Sequence, residues 1–176
     1  MNLLPKLNSF KHDTLSKAQV SALTISIGAD EEAQLVPVGL WILSYPDVIQ
    51  DMSDWRQQSM RMFLHQFNST SERTRKYLES FAIARSDRLL FMIEHDNNFL
   101  GHIGVVNATS ESVELDNLMR GKRGGPRDLM LRAEQTVLEW CHSYLGVQKF
   151  YLRVLSTNIL AKEIHFRLGF SVTSSS

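Results

Sequence analysis

Apolar positions set the element order. In DMSDWRQQSMRMFLHQF, Met52, Trp55, Met62 and Phe63 fall on one line with Ser59, the spacing of a single helix face, which predicts a helix after Tyr45-Pro46. A second helix is expected where Ser69-Thr70-Ser71-Glu72 gives capping-box spacing and Tyr77, Leu78, Phe81 and Ala82 form a stripe. RLLFMIEHDNNFLGHIGVV reads as a β-hairpin, two apolar runs turned by Asp96-Asn97-Asn98. SVELDNLM, residues 112–119, alternates, with Glu114, Asp116 and Leu118 on one face and Val113, Leu115, Asn117 and Met119 on the other.

From Asp128 to Leu145 the period is helical, through Leu129, Met130, Ala133, Val137, Trp140, Cys141 and Tyr144. FYLRVL, 150–155, reads as a strand, and Asn158 to Leu168 as a short helix stopped by Gly169. Ahead of these, QLVPVGLWIL, 34–43, predicts a first core strand in which Pro37 marks an edge or an early break. Residues 1–33 show no sustained period, although AQVSALTISIG fits a strand or a short helix. The order of helices, hairpin, strand, helix, strand, helix predicts an α/β (α+β) fold, a mixed sheet with helices on both faces.

With 176 residues, 43% of them hydrophobic, one sizeable core is expected: a single domain over 34–176 behind an N-terminal extension, 1–33. Nineteen basic residues balance nineteen acidic ones, so no global field gathers nucleic acid or an anionic membrane. No stacking platform or reading helix argues for nucleic acid either. The lone Cys141 excludes an intramolecular disulfide, and no Cys/His spacing suggests a metal. MNLLPKLNSFKHD lacks the apolar core of a leader and no apolar run is long enough to span a bilayer, so a cytoplasmic protein is expected.

The chemistry gathers where the strand SVELDNLM runs through RGKRGGPRDLM into the helix. A basic, glycine-rich turn feeding a helix N-terminus suits an anion, because free amides converge there and the helix dipole adds positive charge. Gly121, Gly124 and Gly125 permit close backbone approach, Lys122, Arg123 and Arg127 add charge, and Pro126 suits a first helical turn. An ordinary flexible basic loop has the same composition.

Here the chain resembles the GNAT superfamily of coenzyme A-dependent acyltransferases, whose pyrophosphate turn is written [QR]-x-x-G-x-[GA]. Gly121 stands at the Gln/Arg position, Gly124 at the first glycine and Pro126 at the last position, so two of three key positions depart. The second resemblance is fuller: Asn158, Ala161, Ile164, Leu168, Gly169 and Phe170 fit N-x-x-A-x-x-[LF]-[YH]-x-x-x-G-F directly after a strand. More narrowly, ELDNLMRG with the later N-x-x-A-x-x-x-H is similar to GNAT proteins of amino-sugar and surface-glycan synthesis. The resemblance covers about residues 34–170.

It implies acetyl-CoA as co-substrate, no metal, and transfer to the primary amine of a small molecule. Coenzyme contacts would come from the backbone at Leu118 and Met119, from Arg120, Gly121, Lys122, Arg123, Gly124, Gly125 and Arg127, and from Asn158. The reaction needs a proton acceptor for the amine and a donor for the leaving thiolate. Glu114 and Asp116, sharing a strand face, are the candidate bases, Glu114 favoured; either carboxylate also has Arg120 or Arg153 as a structural partner. His165, where relatives commonly carry a tyrosine facing the thiol, is the candidate acid; packing against Trp140 or Tyr144 is its structural alternative. The stripe of WRQQSMRMFLHQF is core or acceptor wall.

Members of the superfamily run on past the Gly-Phe step into two further strands, for which SVTSSS is too short. The sheet is therefore expected to lack its last strands, with an open edge available for homodimerisation. A catalytically impaired module that binds coenzyme A or a protein partner is the alternative function.

Overall fold

The computed structural model describes residues 3–12, 16–29 and 32–174; the last two residues of SVTSSS lie outside it. Six strands form one sheet in the order β1 (Ile25–Ser26), β2 (Ala33–Pro37), β3 (Leu89–His95), β4 (Asn98–Val106), β5 (Ser112–Arg120) and β6 (Lys149–Leu152). Every neighbouring pair is antiparallel except β5 and β6, which run parallel. The mixed, mostly antiparallel sheet is the one the element order predicts.

Side chains alternate between the two faces and both faces are covered, so β3 is apolar at nearly every position. Leu89, Phe91 and Ile93 enter one core cluster, with Leu7 and Phe10 of α1 (Leu4–His12) and with Met130, Ala133 and Val137 of α5 (Leu129–Trp140). Leu90 and Met92 enter the other, with Val20 of α2 (Lys17–Ser21), Met52 and Trp55 of α3 (Pro46–Gln58), and Leu78, just past the end of α4 (Ser71–Tyr77). Thus residues ahead of position 34 contribute to both clusters. Helix α6 (Ile159–Arg167) follows β6.

Local chemistry set several boundaries differently from the pattern. The strand expected over 34–43 ends at Pro37, and Leu40–Ser44 turns into a 3₁₀-helix whose buried Trp41 donates its indole N–H to the Pro37 carbonyl at 2.8 Å. Helix α3 stops at Gln58, so Met62 is exposed and Phe63 only half-buried instead of continuing the buried face. The cap of α4 is Thr70, one residue later than the Ser69 box, accepting from the Arg73 amide, and Phe81 lies on the exposed side. The hairpin holds: Asp96 and Asn97 both take positive φ, the requirement of a two-residue type I′ turn.

The decisive irregularity lies in β5. Opposite β4, Asp116 pairs with Gly104 but Met119 with His102, so β5 carries an extra residue there, and Asn117 takes φ 56°. This bulge breaks the expected alternation past Asp116. It also bends β5 beyond its last pairing with β6, at Leu115 and Leu152.

Candidate active site

Between the diverging ends of β5 and β6 lies a cleft of about 420 Å³. One wall is Glu114–Leu118; the other is Leu152–Leu155 with Asn158, Ala161 and His165. Tyr77, Arg56 and residues 62–65 close it from the α3 and α4 side, and His102 and Glu134 stand at its floor.

The two candidate bases are treated differently. Glu114 accepts from the Arg153 guanidinium at 2.7 Å and from the Asn107 side-chain amide at 2.8 Å, so its lone pairs are engaged. Asp116, one pleat further, accepts 3.0 Å from its neighbour Asn117 and makes no ion pair among the described residues. It remains open to solvent, yet protein atoms crowd the carboxyl, and this desolvation, reinforced by the Glu114 charge, raises its pKa above the ordinary value; the Asn117 backbone amide, Arg88 and Arg56 oppose the rise. The bulge turns the Asn117 amide to donate to the Tyr77 hydroxyl at 2.9 Å, and burial lifts that phenol to about 12, keeping it protonated. Buried His102 is held neutral, its pKa lowered to about 4 by desolvation; its Nδ1 lies 2.6 Å from the Asn117 carbonyl, which only accepts, so Nδ1 carries the hydrogen.

His165 sits on the opposite wall, packed neither on Trp140 nor on Tyr144 but against Glu134 of α5, with Nδ1 2.7 Å from Oε1 and Phe170 at its edge. Glu134 is fully buried, and its second oxygen has no partner among the described residues. With Nδ1–H given to the carboxylate, the other ring nitrogen of His165 is the one left for a ligand in the cleft.

The residues expected to meet coenzyme A differ in what they contact. The amides of Arg123, Gly124, Gly125, Arg127 and Asp128 make no hydrogen bond among the described residues, while Arg120 ties the carbonyls of Gly124 and Pro126 together. A run of free amides ahead of α5, flanked by exposed Arg123 and Arg127 without ion pairs among the described residues, fits a pyrophosphate. Lys122 instead bonds Asp51 at 2.5 Å and lies over Trp55. Gly121 explains the missing Gln/Arg: a Cβ there would meet the Trp55 ring at 1.9 Å. Leu118 lines the cleft, Met119 points into the core, and the turn lies beyond the cleft-lining residues. Asn158 caps α6, accepting from the Ala161 amide at 3.3 Å, and its own amide donates to the Met62 carbonyl at 3.4 Å. The backbone of 153–155 lies past the last pairing of β6 with β5, and the Leu155 carbonyl accepts from the Asn158 backbone amide at 2.9 Å.

Arg56, Tyr77, His102 and Glu134 were not foreseen as site residues. Glu134 had a signal: at 134 it interrupts the buried stripe of Met130, Ala133, Val137 and Cys141 with a charge. The others depend on which loops meet the sheet. Among the described residues, no group of His, Cys, Asp or Glu is arranged to hold a metal, and no helix is long and apolar enough to cross a membrane.

A strand pair that opens into a cleft beside an amide-lined turn defines an acyl-CoA-binding fold, and comparison with known proteins places it. The sequence profile described as "Acetyltransferase (GNAT) domain" matches residues 43–171, and the chain belongs to that family. It is thereby an acetyl-CoA-dependent N-acetyltransferase by class, with acetyl-CoA as co-substrate. No curated protein sequence matches significantly. Similar solved structures include the microcin C7 self-immunity acetyltransferase MccE in complex with acetyl-CoA and AMP, at 11% identity, TM-score 0.67 and 82% of each chain covered. An acetyltransferase from Salmonella typhimurium that modifies the N-terminal serine of ribosomal protein L7/L12 gives 13%, 0.70 and 86% of each. The Campylobacter jejuni N-acetyltransferase PseH gives 15% and 0.61, covering 82% of this chain and 92% of that one. At such identities the likeness is one of fold.

Proposed function

We propose that the protein acetylates the primary amine of a small molecule, an amino sugar being the leading class, by direct attack with both substrates bound. The observation that carries this reading is the pair of unlike proton carriers on the two walls of one cleft, Asp116 on β5 and His165 on α6. The amino-sugar class rests on the resemblance carried by ELDNLMRG and N-x-x-A-x-x-x-H. The residues read here as one domain, 34–176, share their core with the segment before them.

Acetyl-CoA supplies an activated acetyl carbonyl on a thiol leaving group. Asp116 attracts the acceptor ammonium and takes its proton, directly or through one water, so that nitrogen attacks as the free amine. As the new C–N bond forms and the C–S bond breaks, His165 acts as the imidazolium, its Nδ1–H held by Glu134 and its Nε2–H facing the cleft; the Nε2 proton goes to the departing sulfur, and the attacking nitrogen sheds its second proton to water. Glu114, held by Arg153, braces the closed end of the strand pair.

The test is coenzyme A release from acetyl-CoA across a panel of amino sugars, polyamines and peptides, with and without Asp116→Asn. An amino sugar is expected to be turned over, and Asp116→Asn to lower kcat/KM by roughly 10²-fold or more while acetyl-CoA affinity stays the same. In the parent protein, kcat/KM should rise with pH as Asp116 loses its proton, above the ordinary aspartate value, and the variant should lack that limb. Full turnover by Asp116→Asn would remove Asp116 from the mechanism; turnover of peptides alone would move the acceptor to proteins.

A further inference from the structure

Some of the charges in the cleft have ion-pair partners, and Asp116, Arg56 and Arg73 have none among the described residues. Glu114 is neutralised by Arg153, and Glu134 lies on His165. Arg56, half-buried at the end of α3, makes no ion pair among the described residues. Its guanidinium lies 3.5 Å from the centroid of the Phe63 ring and 5.3 Å from that of Phe67, and one terminal nitrogen donates to the His65 carbonyl at 2.9 Å. The Nε is buried without a partner. Ring faces and one neutral carbonyl hold the head in place without cancelling its charge, and a desolvated cation is costly until an anion meets it.

A second guanidinium stands beside it. Arg73 of α4 reaches the same Phe67 ring at 5.9 Å, donates to the Asn68 carbonyl, and also lacks an ion pair among the described residues. Both arginines line the cleft, whereas the turn 121–128 with its free amides does not. The positive pair is therefore separate from the coenzyme turn, on the acceptor side of the cleft. Asp116, the group that receives the amine, shares that space and is close enough for its charge to act on Arg56 without an ion pair forming.

We propose that Arg56 and Arg73, set on Phe63 and Phe67, form an oxyanion subsite for the acceptor, so that the substrate is an amine that also carries a phosphate or carboxylate. Its ammonium faces Asp116 and its oxyanion faces the two guanidinium groups, whose paired N–H donors match either oxyanion. An amine without an oxyanion leaves the Arg56 charge uncancelled in the closed site and binds more weakly for that reason. The inference rests on the proposed small-amine acceptor and narrows it.

The experiment is calorimetric titration of the full chain, saturated with coenzyme A so that the pyrophosphate turn is filled. The probes are glucosamine, glucosamine 6-phosphate and muramic acid, the last two carrying a phosphate and a carboxylate on an amino sugar. At least one anionic probe is expected to bind tenfold or more tighter than glucosamine, and which one does so identifies the oxyanion. Arg56→Met and, separately, Arg73→Met should each shrink that ratio at least threefold. Arg73 is exposed, so its replacement reads the subsite even if Arg56→Met unsettles the fold. Equal binding of glucosamine and the two oxyanion-bearing probes overturns the proposal, as does a preference that survives both substitutions. Coenzyme A binding, titrated first, reports on the acetyltransferase reading by itself; were it absent, the same probes on the coenzyme-free chain would still read the subsite.

Discussion

A carboxylate at the floor of a cleft must be complemented or it destabilises the fold, and Glu134 has a single complement among the described residues. Only its Oε1 is satisfied, by His165, and a buried acceptor left unmade costs on the order of 1–3 kcal/mol. Such an arrangement is retained more readily for what it does to the imidazole than for stability. Glu134→Ala should therefore lower kcat by about 10²-fold with little change in the KM for acetyl-CoA. Glu134→Gln, whose carbonyl still accepts from Nδ1–H, should recover part of that loss. Steady-state kinetics separate the cases: equal effects of Ala and Gln, or a change confined to KM, would make Glu134 a packing residue. From sequence, His165 was legible through its motif, whereas its partner lies thirty-one positions earlier and was marked only by a charge in an apolar stripe.

The site depends on one β-bulge and one close helix contact at the level of elements. Asn117, at positive φ, adds the extra residue that swings β5 away from β6 and also supplies the carbonyl for His102 and the amide for Tyr77. SVELDNLM alternates well enough to identify a strand, but the two-residue period holds no record of where it fails; Asn, which tolerates left-handed backbone, is the only local hint. At the next step Trp55 of α3 lies against Gly121, where even a Cβ would collide. Gly121→Val should therefore force α3 from the turn and destabilise the protein by about 1–3 kcal/mol, as overpacking does, with weaker coenzyme A binding. Chemical denaturation and a coenzyme titration on the same sample check both effects. Unchanged stability would mean that Trp55 moves aside freely.

Over the whole molecule, coenzyme binding should appear as stability, because a ligand that binds only the folded chain shifts unfolding by mass action. At a hundredfold excess over Kd, coenzyme A should add about 2.7 kcal/mol. At this chain length that corresponds to roughly 5–10 °C in Tm. Reversing the exposed pair with Arg123→Glu and Arg127→Glu leaves the core untouched and should remove most of the shift, while the Tm without ligand stays close to the parent's. A thermal melt with and without coenzyme A measures both; a full shift in the double variant would place the pyrophosphate elsewhere than the 121–128 turn.

The sequence by itself determined the order of elements from Pro46 onward and the family. Periods of two and 3.6, the Asp96-Asn97 turn, the Gly169 stop and the N-x-x-A-x-x-x-H run are local signals, written in residues that are neighbours along the chain. It also brought Glu114, Asp116 and His165 forward as candidate chemistry, with Glu114 the favoured base. Only the tertiary structure decided what surrounds those groups. Arg153 takes Glu114, Glu134 takes His165, Trp55 excludes a side chain at Gly121, and Arg56 makes no ion pair among the described residues. Each of these is a contact between elements far apart in sequence, and the charge and space available at a site follow from what surrounds it, which periodicity does not encode.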